Sequence, residues 1–146
     1  MLTKETEVDN KPKAAPLVGI VLTVLTALLV VGLLTFAGPC APHADGSASN
    51  CVWAWRVMLG ASVVLGILSI VRIFETDEGE RRGLSLGAAL VGAFIAAVPG
   101  GLVGLCMNAS MQCNALMRPF ALCLGIAIFL VGAIDLTRRL LSLRKR

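Results

Sequence analysis

The sequence predicts an all-α membrane protein, a four-transmembrane-helix bundle made of two helical hairpins with both the N and C termini cytoplasmic. Three observations support this class. The 146-residue chain is 57% hydrophobic and 15% charged, and its mean hydropathy is +0.85. Its apolar residues form four long stretches, and its charges lie in short clusters between them. A single small domain cannot bury that much apolar surface in its own interior, so we expect these stretches to face lipid.

The N-terminal part of the chain changes from polar to apolar at Pro16. Residues 1–15 are mixed in charge and are predicted to be a disordered cytoplasmic tail, and residues 16–137 are predicted to be the transmembrane domain. The first span, at about residues 17–37, contains an apolar run that reaches about 30 Å as a helix, one hydrocarbon thickness. This run is longer than a signal-peptide core, and the proline before Cys40 argues against a lipoprotein site. We therefore expect a retained span.

Three further spans follow. They are predicted at about residues 53–74, 84–105 and 117–136, with outer loops at about 38–52 and 106–116 and a cytoplasmic loop at about 75–83. In the second span, Arg56 and Arg72 lie near the ends, where long side chains can reach the headgroups. The third span contains Pro99 and a Gly-Gly pair, so its outer turn is predicted to bend or unwind.

The positions of Lys and Arg predict the orientation. With both termini inside, eleven of the 13 Lys and Arg lie on the cytoplasmic side, and only Arg56 and Arg118 lie outside. This asymmetry predicts a multi-pass protein of the cell (plasma) membrane with both termini cytoplasmic. Residues 138–146 form a basic cytoplasmic end with leucines between the charges, which can continue the fourth helix along an anionic inner leaflet.

Small and aromatic residues are the candidates for helix packing or a partner interface. Glycines let helix backbones approach closely, which supplies much of the packing energy in lipid. The candidates are Gly60 and Gly66 in the second span, Gly83 and Gly87 with Gly92 in the third, and Gly125 and Gly132 in the fourth. Trp53 and Trp55 lie at the outer interface. Side chains two apart on a helix diverge, so only one indole can anchor there while the other faces the bundle or a partner.

Four cysteines fall on the predicted outer side, where thiols oxidise: Cys40, Cys51, Cys106 and Cys113. An even number in two loops indicates two disulfide bonds, for which three connectivities are possible. We favour pairing within each loop, which contributes about 2.5–3 kcal/mol per bond by the chain-entropy argument. A cross-loop pair such as Cys40–Cys106 remains open. Cys123, inside the fourth span, is expected to be a buried apolar thiol.

The second outer loop also concentrates soft metal donors. The candidate ligands are Cys106, Met107, Met111, Cys113 and Met117, with His43 from the other loop. Such side chains suit Cu(I), but a disulfide would consume both thiolates, and no cofactor is expected. Membrane enzymes that generate disulfides also use four helices and two outer cysteine pairs, but they normally carry a Cys-x-x-Cys motif, which this chain lacks. An outer-face copper-binding or thiol-redox protein is the alternative interpretation.

The residues needed for classical catalysis are scarce. His43 is the single imidazole and Asp45 is the single outer carboxylate, and no phosphate-binding loop or nucleophile elbow occurs. Asp135 precedes two arginines by three and four residues, which favours a local ion pair over a proton relay. The spans are also expected to lack the inward carboxylates of an ion-coupled carrier. The clustered charges argue against nucleic-acid binding, so we expect a non-enzymatic protein.

Two stretches carry a resemblance to a known family. The segments "GPC…CVWAWRVMLG" and "VPGGLVGLCMNASMQCNALMRP" resemble domain-of-unknown-function family 4418, small bacterial four-span membrane proteins, over roughly Val18 to Leu136. Its members tend to be encoded beside ABC-type permeases and ATPases of the macrolide-exporter or lipoprotein-release style. The resemblance therefore implies an accessory subunit and no catalytic residues. We expect an interaction protein of the lipid bilayer, bound to an ABC-type permease or to copies of itself, with disulfide-stapled outer loops.

Overall fold

The structure is a computed structural model that describes residues 14–39, 50–103 and 113–144. The described part of the chain is 92% helical and contains no strand, which confirms the all-α class. Four α-helices are present: α1 (Ala14–Leu34), α2 (Asn50–Phe74), α3 (Glu78–Ala97) and α4 (Arg118–Arg144). Two π-helical turns, Val98–Leu102 and Cys113–Met117, follow α3 and precede α4.

Within the described ranges, three helical segments are long and apolar enough to cross a membrane: Pro16–Leu34, Asn50–Phe74 and Asn114–Ser142. The third predicted span is different because α3 begins at Glu78 and carries four charged residues in its first turns. Its uncharged α-helical part, from Gly83 to Ala97, is only about 22 Å long. The apolar sequence continues into the π-helical turn, so α3 alone falls short of a hydrocarbon thickness.

The sequence predicted a bent or unwound turn at Pro99, and the structure shows a change of helix type there, from the α-helix to a π-helical turn that begins at Val98. Proline has no N–H to donate to the carbonyl of Ile95, and its ring clashes with that carbonyl in a regular α-helix. The Val103 N–H instead donates to the Val98 carbonyl five residues earlier, at 3.1 Å. This wider register is that of a π-helix.

The helices pack as two antiparallel pairs, α1 with α2 and α3 with α4, and the pairs meet through α2–α3 and α1–α4 contacts. Fully buried apolar side chains from all four helices form the core: Leu22, Leu29 and Leu33 of α1, Met58 and Leu65 of α2, Ile95 of α3 and Ile128 of α4. Large apolar side chains also cover the outward faces, for example Leu28, Val64, Leu90 and Leu130. Helices that are apolar on both the inner and the outer face are typical of a membrane environment.

Candidate functional site

Charged and polar side chains are buried together at one end of the bundle, where α2 ends and α3 begins. Arg72, in the last turn of α2, is only 1% exposed. Its Nη2 donates to Asp135 Oδ2 of α4 at 2.7 Å, and its Nη1 donates to the Arg81 carbonyl at 2.9 Å and to the hydroxyl of Ser85 on α3. One guanidinium therefore joins three helices. We call Arg72, Ser85, Asp135, Arg139 and Glu78 the ionic cluster.

Asp135 is the acceptor at the centre of the ionic cluster. Its Oδ2 accepts hydrogen bonds from Arg72 Nη2, from Arg139 Nε at 2.8 Å and from Ser85 Oγ at 2.8 Å. Arg139 also pairs with Glu78 at the start of α3. The Ser85 hydroxyl lies 2.7 Å from the Arg81 carbonyl as well. Because a hydroxyl has one proton, Ser85 donates to one of these two oxygens at a time while it accepts from Arg72.

The short turn between α2 and α3 places the Arg81 carbonyl and Ser85 opposite Arg72. Asp77 is the N-cap of α3, and its Oδ1 accepts from the backbone N–H of Gly79 at 2.6 Å. The backbone N–H of Asp77 donates to the Glu75 carboxylate and lowers the pKa of Glu75, whereas the hydrogen bond shared with Glu75 raises the pKa of Glu80. The acidic residues in the first turn of α3, Glu78 and Glu80, also interact favourably with the helix dipole. The turn is thus fixed by its own carboxylates.

The ionic cluster is suited to holding helices together rather than to transferring protons. Two arginines face two carboxylates, and the one oxygen that binds both guanidinium groups already accepts three hydrogen bonds. Arginine stays protonated at all physiological pH values. Arg72 Nε is buried and donates to no acceptor among the described residues. A buried pair of this kind depends on both partners, since either charge alone would be strongly unfavourable.

The amino-acid sequence predicted the ionic cluster only in part. The local pair between Asp135 and Arg139 is confirmed, but Arg72 does not reach the headgroups, because it turns inward onto Asp135. The expectation of spans without an inward carboxylate is wrong for the same reason. A signal was present: Ser62, Ser69 and Arg72 recur at helical spacing, and all three are buried on one side of α2. The two serines bind carbonyls of their own helix, whereas the buried arginine required a partner on another helix.

Glycines bring α3 and α4 close beside the ionic cluster. A Cβ placed on Gly125 would lie 2.7 Å from the Ala96 nitrogen, and one on Gly92 would lie 2.8 Å from the Phe129 nitrogen. A Cβ on Gly132 would lie 2.9 Å from the carbonyl oxygen of Ser85. Ser85 thus lies against the backbone of α4 at Gly132, one helical turn before Asp135. This close approach lets the Ser85 hydroxyl reach the Asp135 carboxylate.

The other glycine candidates have looser surroundings. A Cβ on Gly87 would meet Leu68 at 3.5 Å, and one on Gly66 would meet Thr26 at 3.7 Å, both ordinary contact distances. A Cβ on Gly60 or Gly83 would meet nothing within 4 Å. Gly60 and Gly83 therefore bring no helices together within the described part of the chain.

The two tryptophans point in different directions. Trp55 is half-buried, and its Nε1 donates to the carbonyl of Leu33 at 2.8 Å. This carbonyl is in the last turn of α1, where backbone oxygens lack partners within the helix. Trp53 is exposed, and the Arg56 guanidinium lies over its ring, 5.5 Å from the centroid. Trp55 thus ties α2 to α1, whereas Trp53 faces away from the bundle.

Most of the predicted sulfur site lies outside the described residues. Cys40, His43, Cys106, Met107 and Met111 belong to segments that are not described, and of Cys113 only the backbone is. Cys51 is buried in the first turn of α2, and Met117 is buried in the core. Cys123 is exposed on α4, so the prediction of a buried thiol is wrong. Within the described ranges, no group of three or more His, Cys, Asp or Glu is placed to hold a metal ion.

The fold and the site define a small helical protein with membrane-like helices, three of which are joined at one end by buried ion pairs and hydrogen bonds. Residues 22–138 match the family described as Domain of unknown function (DUF4418), and the chain belongs to that family. The family predicted from the two sequence stretches is thereby confirmed. No curated protein and no solved structure matches the chain.

Proposed function

We propose that this protein is a non-enzymatic, four-span protein of the plasma membrane that binds laterally to a larger membrane protein as an accessory subunit. One observation carries the proposal. Large apolar side chains are exposed on every helix, while the buried polar side chains bind one another or their own helix backbone. Among the described residues, the outward faces of the helices therefore offer a protein partner apolar surface. The family resemblance makes an ABC-type permease the preferred partner.

Several contacts favour four spans with both termini in the cytoplasm. A Cβ on Gly19 would meet Ile73, so the start of α1 lies beside the end of α2. Asp135 binds Arg72, which adds the end of α4 to the same side of the bundle. This side carries most of the described arginines, whereas Arg56 and Arg118 lie near the opposite ends of α2 and α4. By the positive-inside rule, the arginine-rich side is cytoplasmic.

The outer cysteines provide a joint test of topology and disulfide bonding. In intact cells, a membrane-impermeant maleimide is expected to label none of Cys40, Cys106 and Cys113 before reduction and all three after it. Cys51 is buried, so its oxidation state is measured after denaturation of the purified chain. Cys123 faces outward from α4 and is expected to be shielded by lipid. Mass spectrometry of the purified chain measures the label at each position, and a Cys123→Ser variant is the control.

Two results would contradict different parts of this proposal. Labelling that needs no reductant would mean free outer thiols and would favour the copper-binding or thiol-redox alternative. Labelling that needs cell lysis would place these cysteines in the cytoplasm and overturn the topology.

Partner binding is tested by copurification from native membranes in mild detergent. We expect a larger membrane protein, or further copies of this chain, to accompany the tagged protein in near-stoichiometric amounts. Gly60 lies open between Val57 and Val64 on an exposed face of α2. A Cβ at Gly60 meets nothing within 4 Å, so a Gly60→Phe variant enlarges this face and is expected to reduce the recovered partner severalfold.

The matched control is Leu90→Phe, which enlarges an exposed side chain on α3. It is expected to keep the partner if the α2 face is the contact. Recovery of a lone monomer in several mild detergents, with lipids retained, would count against the accessory-subunit proposal.

A further inference from the structure

The end of α4 extends past the ionic cluster. α4 has 27 residues and is therefore about 40 Å long, compared with about 30 Å for the hydrocarbon core. Asp135 lies nine residues before the last residue of α4. About two turns of helix thus continue beyond the level at which α2, α3 and α4 are joined.

This extension carries two exposed arginines, each beside a large apolar side chain on its own side of the helix. Ile134 is 50% exposed, Arg138 follows four residues later, and Leu141, which is 55% exposed, follows after three more. Leu140 and Arg144 form a second exposed pair four residues apart. Residues at these spacings lie above one another on a helix. Each arginine stem can therefore lie along apolar surface while its guanidinium extends toward the headgroups.

The positive charge of this extension of α4 is not neutralised by the described part of the protein. Arg139 is bound by Asp135 and Glu78, but Arg138 and Arg144 form no ion pair within the described chain. The sequence after Asp135 contains five basic residues and no acidic one. Guanidinium groups bind phosphate oxygens in a bidentate manner, and basic residues beside a spanning helix are attracted to anionic lipids.

We propose that Arg138 and Arg144, flanked by Leu140 and Leu141, form a binding surface for anionic phospholipids at the end of α4. The apolar side chains contact the acyl-chain boundary, and the two guanidinium groups bind lipid phosphates. This surface is separate from the apolar α2 face proposed for a protein partner. It depends on α4 crossing the membrane but not on the accessory-subunit proposal.

The experiment compares lipid retention by the full chain in nanodiscs of phosphatidylcholine with and without phosphatidylglycerol. Native mass spectrometry counts the phosphatidylglycerol molecules that stay bound after release from the disc. The test variant is Arg138→Gln/Arg144→Gln. Its expected preference for phosphatidylglycerol falls about fivefold for each arginine removed, which corresponds to about 1 kcal/mol per basic residue near an anionic surface.

Two controls separate a local site from general charge. Arg56→Gln/Arg118→Gln removes the same charge near the opposite ends of α2 and α4 and is expected to keep the preference. Arg138→Lys/Arg144→Lys keeps the charge and is expected to retain most of the preference for phosphatidylglycerol. The proposal is overturned if the parent chain does not prefer phosphatidylglycerol, or if both Gln variants lose the preference equally. It is also overturned if the test variant keeps its lipids but loses a copurifying acidic protein.

Discussion

Replacing Asp135 with alanine is expected to lower the free energy of unfolding by about 3–5 kcal/mol, the cost of leaving a buried charge without its partner. Asp135 Oδ2 accepts from Arg72, Arg139 and Ser85. Without the carboxylate, the Arg72 guanidinium keeps only neutral acceptors in a site from which water is excluded. Titration with sodium dodecyl sulfate from a mild detergent, followed by circular dichroism, measures the change.

Two further variants distinguish a lost ion pair from general damage. Glu78→Gln removes another carboxylate of the ionic cluster, but the Glu78 side chain is 58% exposed, so a loss below about 1 kcal/mol is expected. The double variant Arg72→Met/Asp135→Leu removes the buried charge of Arg72 and leaves Arg139 paired with Glu78. It is expected to recover at least half of the Asp135→Ala loss. A loss for Asp135→Ala as small as that for Glu78→Gln, below about 1 kcal/mol, would show that the buried ion pair does not hold the helices.

The sequence was sufficient to predict the all-α class, because the pattern of apolar and charged residues allows few other folds. Apolar stretches separated by short charged segments leave few alternatives to membrane-type helices, and Pro99 predicted the change of helix type at Val98. The predicted fourth span ends at about residue 136, but the helix itself continues to Arg144. This agrees with the expectation that the basic end can continue the fourth helix, because arginine and leucine both favour a helix.

The rotation of each helix is what the sequence left open. α3 has two stripes of small residues, Gly83 with Gly87, and Ser85 with Ala89, Gly92 and Ala96. Gly83, Gly87 and Gly92 were the predicted contacts, but of these only Gly92 lies on the stripe that packs against α4. The burial of Arg72 and Asp135 explains why the second stripe packs against α4. Ser85 lies on that stripe and supplies both side chains with a hydroxyl partner. Burial of ions therefore selects the packed face, and glycine spacing alone cannot do so.

Replacing Gly125 with alanine is expected to destabilise the protein by about 1–3 kcal/mol, the typical cost of overpacking. The new Cβ would lie 2.7 Å from the Ala96 nitrogen and 2.9 Å from the Gly92 carbonyl oxygen. Both are backbone atoms, so no side-chain rotation can relieve the contact, and α3 must move away from α4. The same detergent titration measures the loss.

The matched control for this substitution is Gly60→Ala, at an equally helical position where a Cβ would meet nothing within 4 Å. In a helix interior, alanine is favoured over glycine by about 1 kcal/mol, so Gly60→Ala is expected to be neutral or stabilising. The opposite sign at Gly125 would then report backbone contact and not helix propensity. Because Gly132 contacts Ser85 on the same interface, separation of α3 from α4 should also weaken the ionic cluster. Gly125→Ala combined with Asp135→Ala should therefore cost less than the sum of the two single losses.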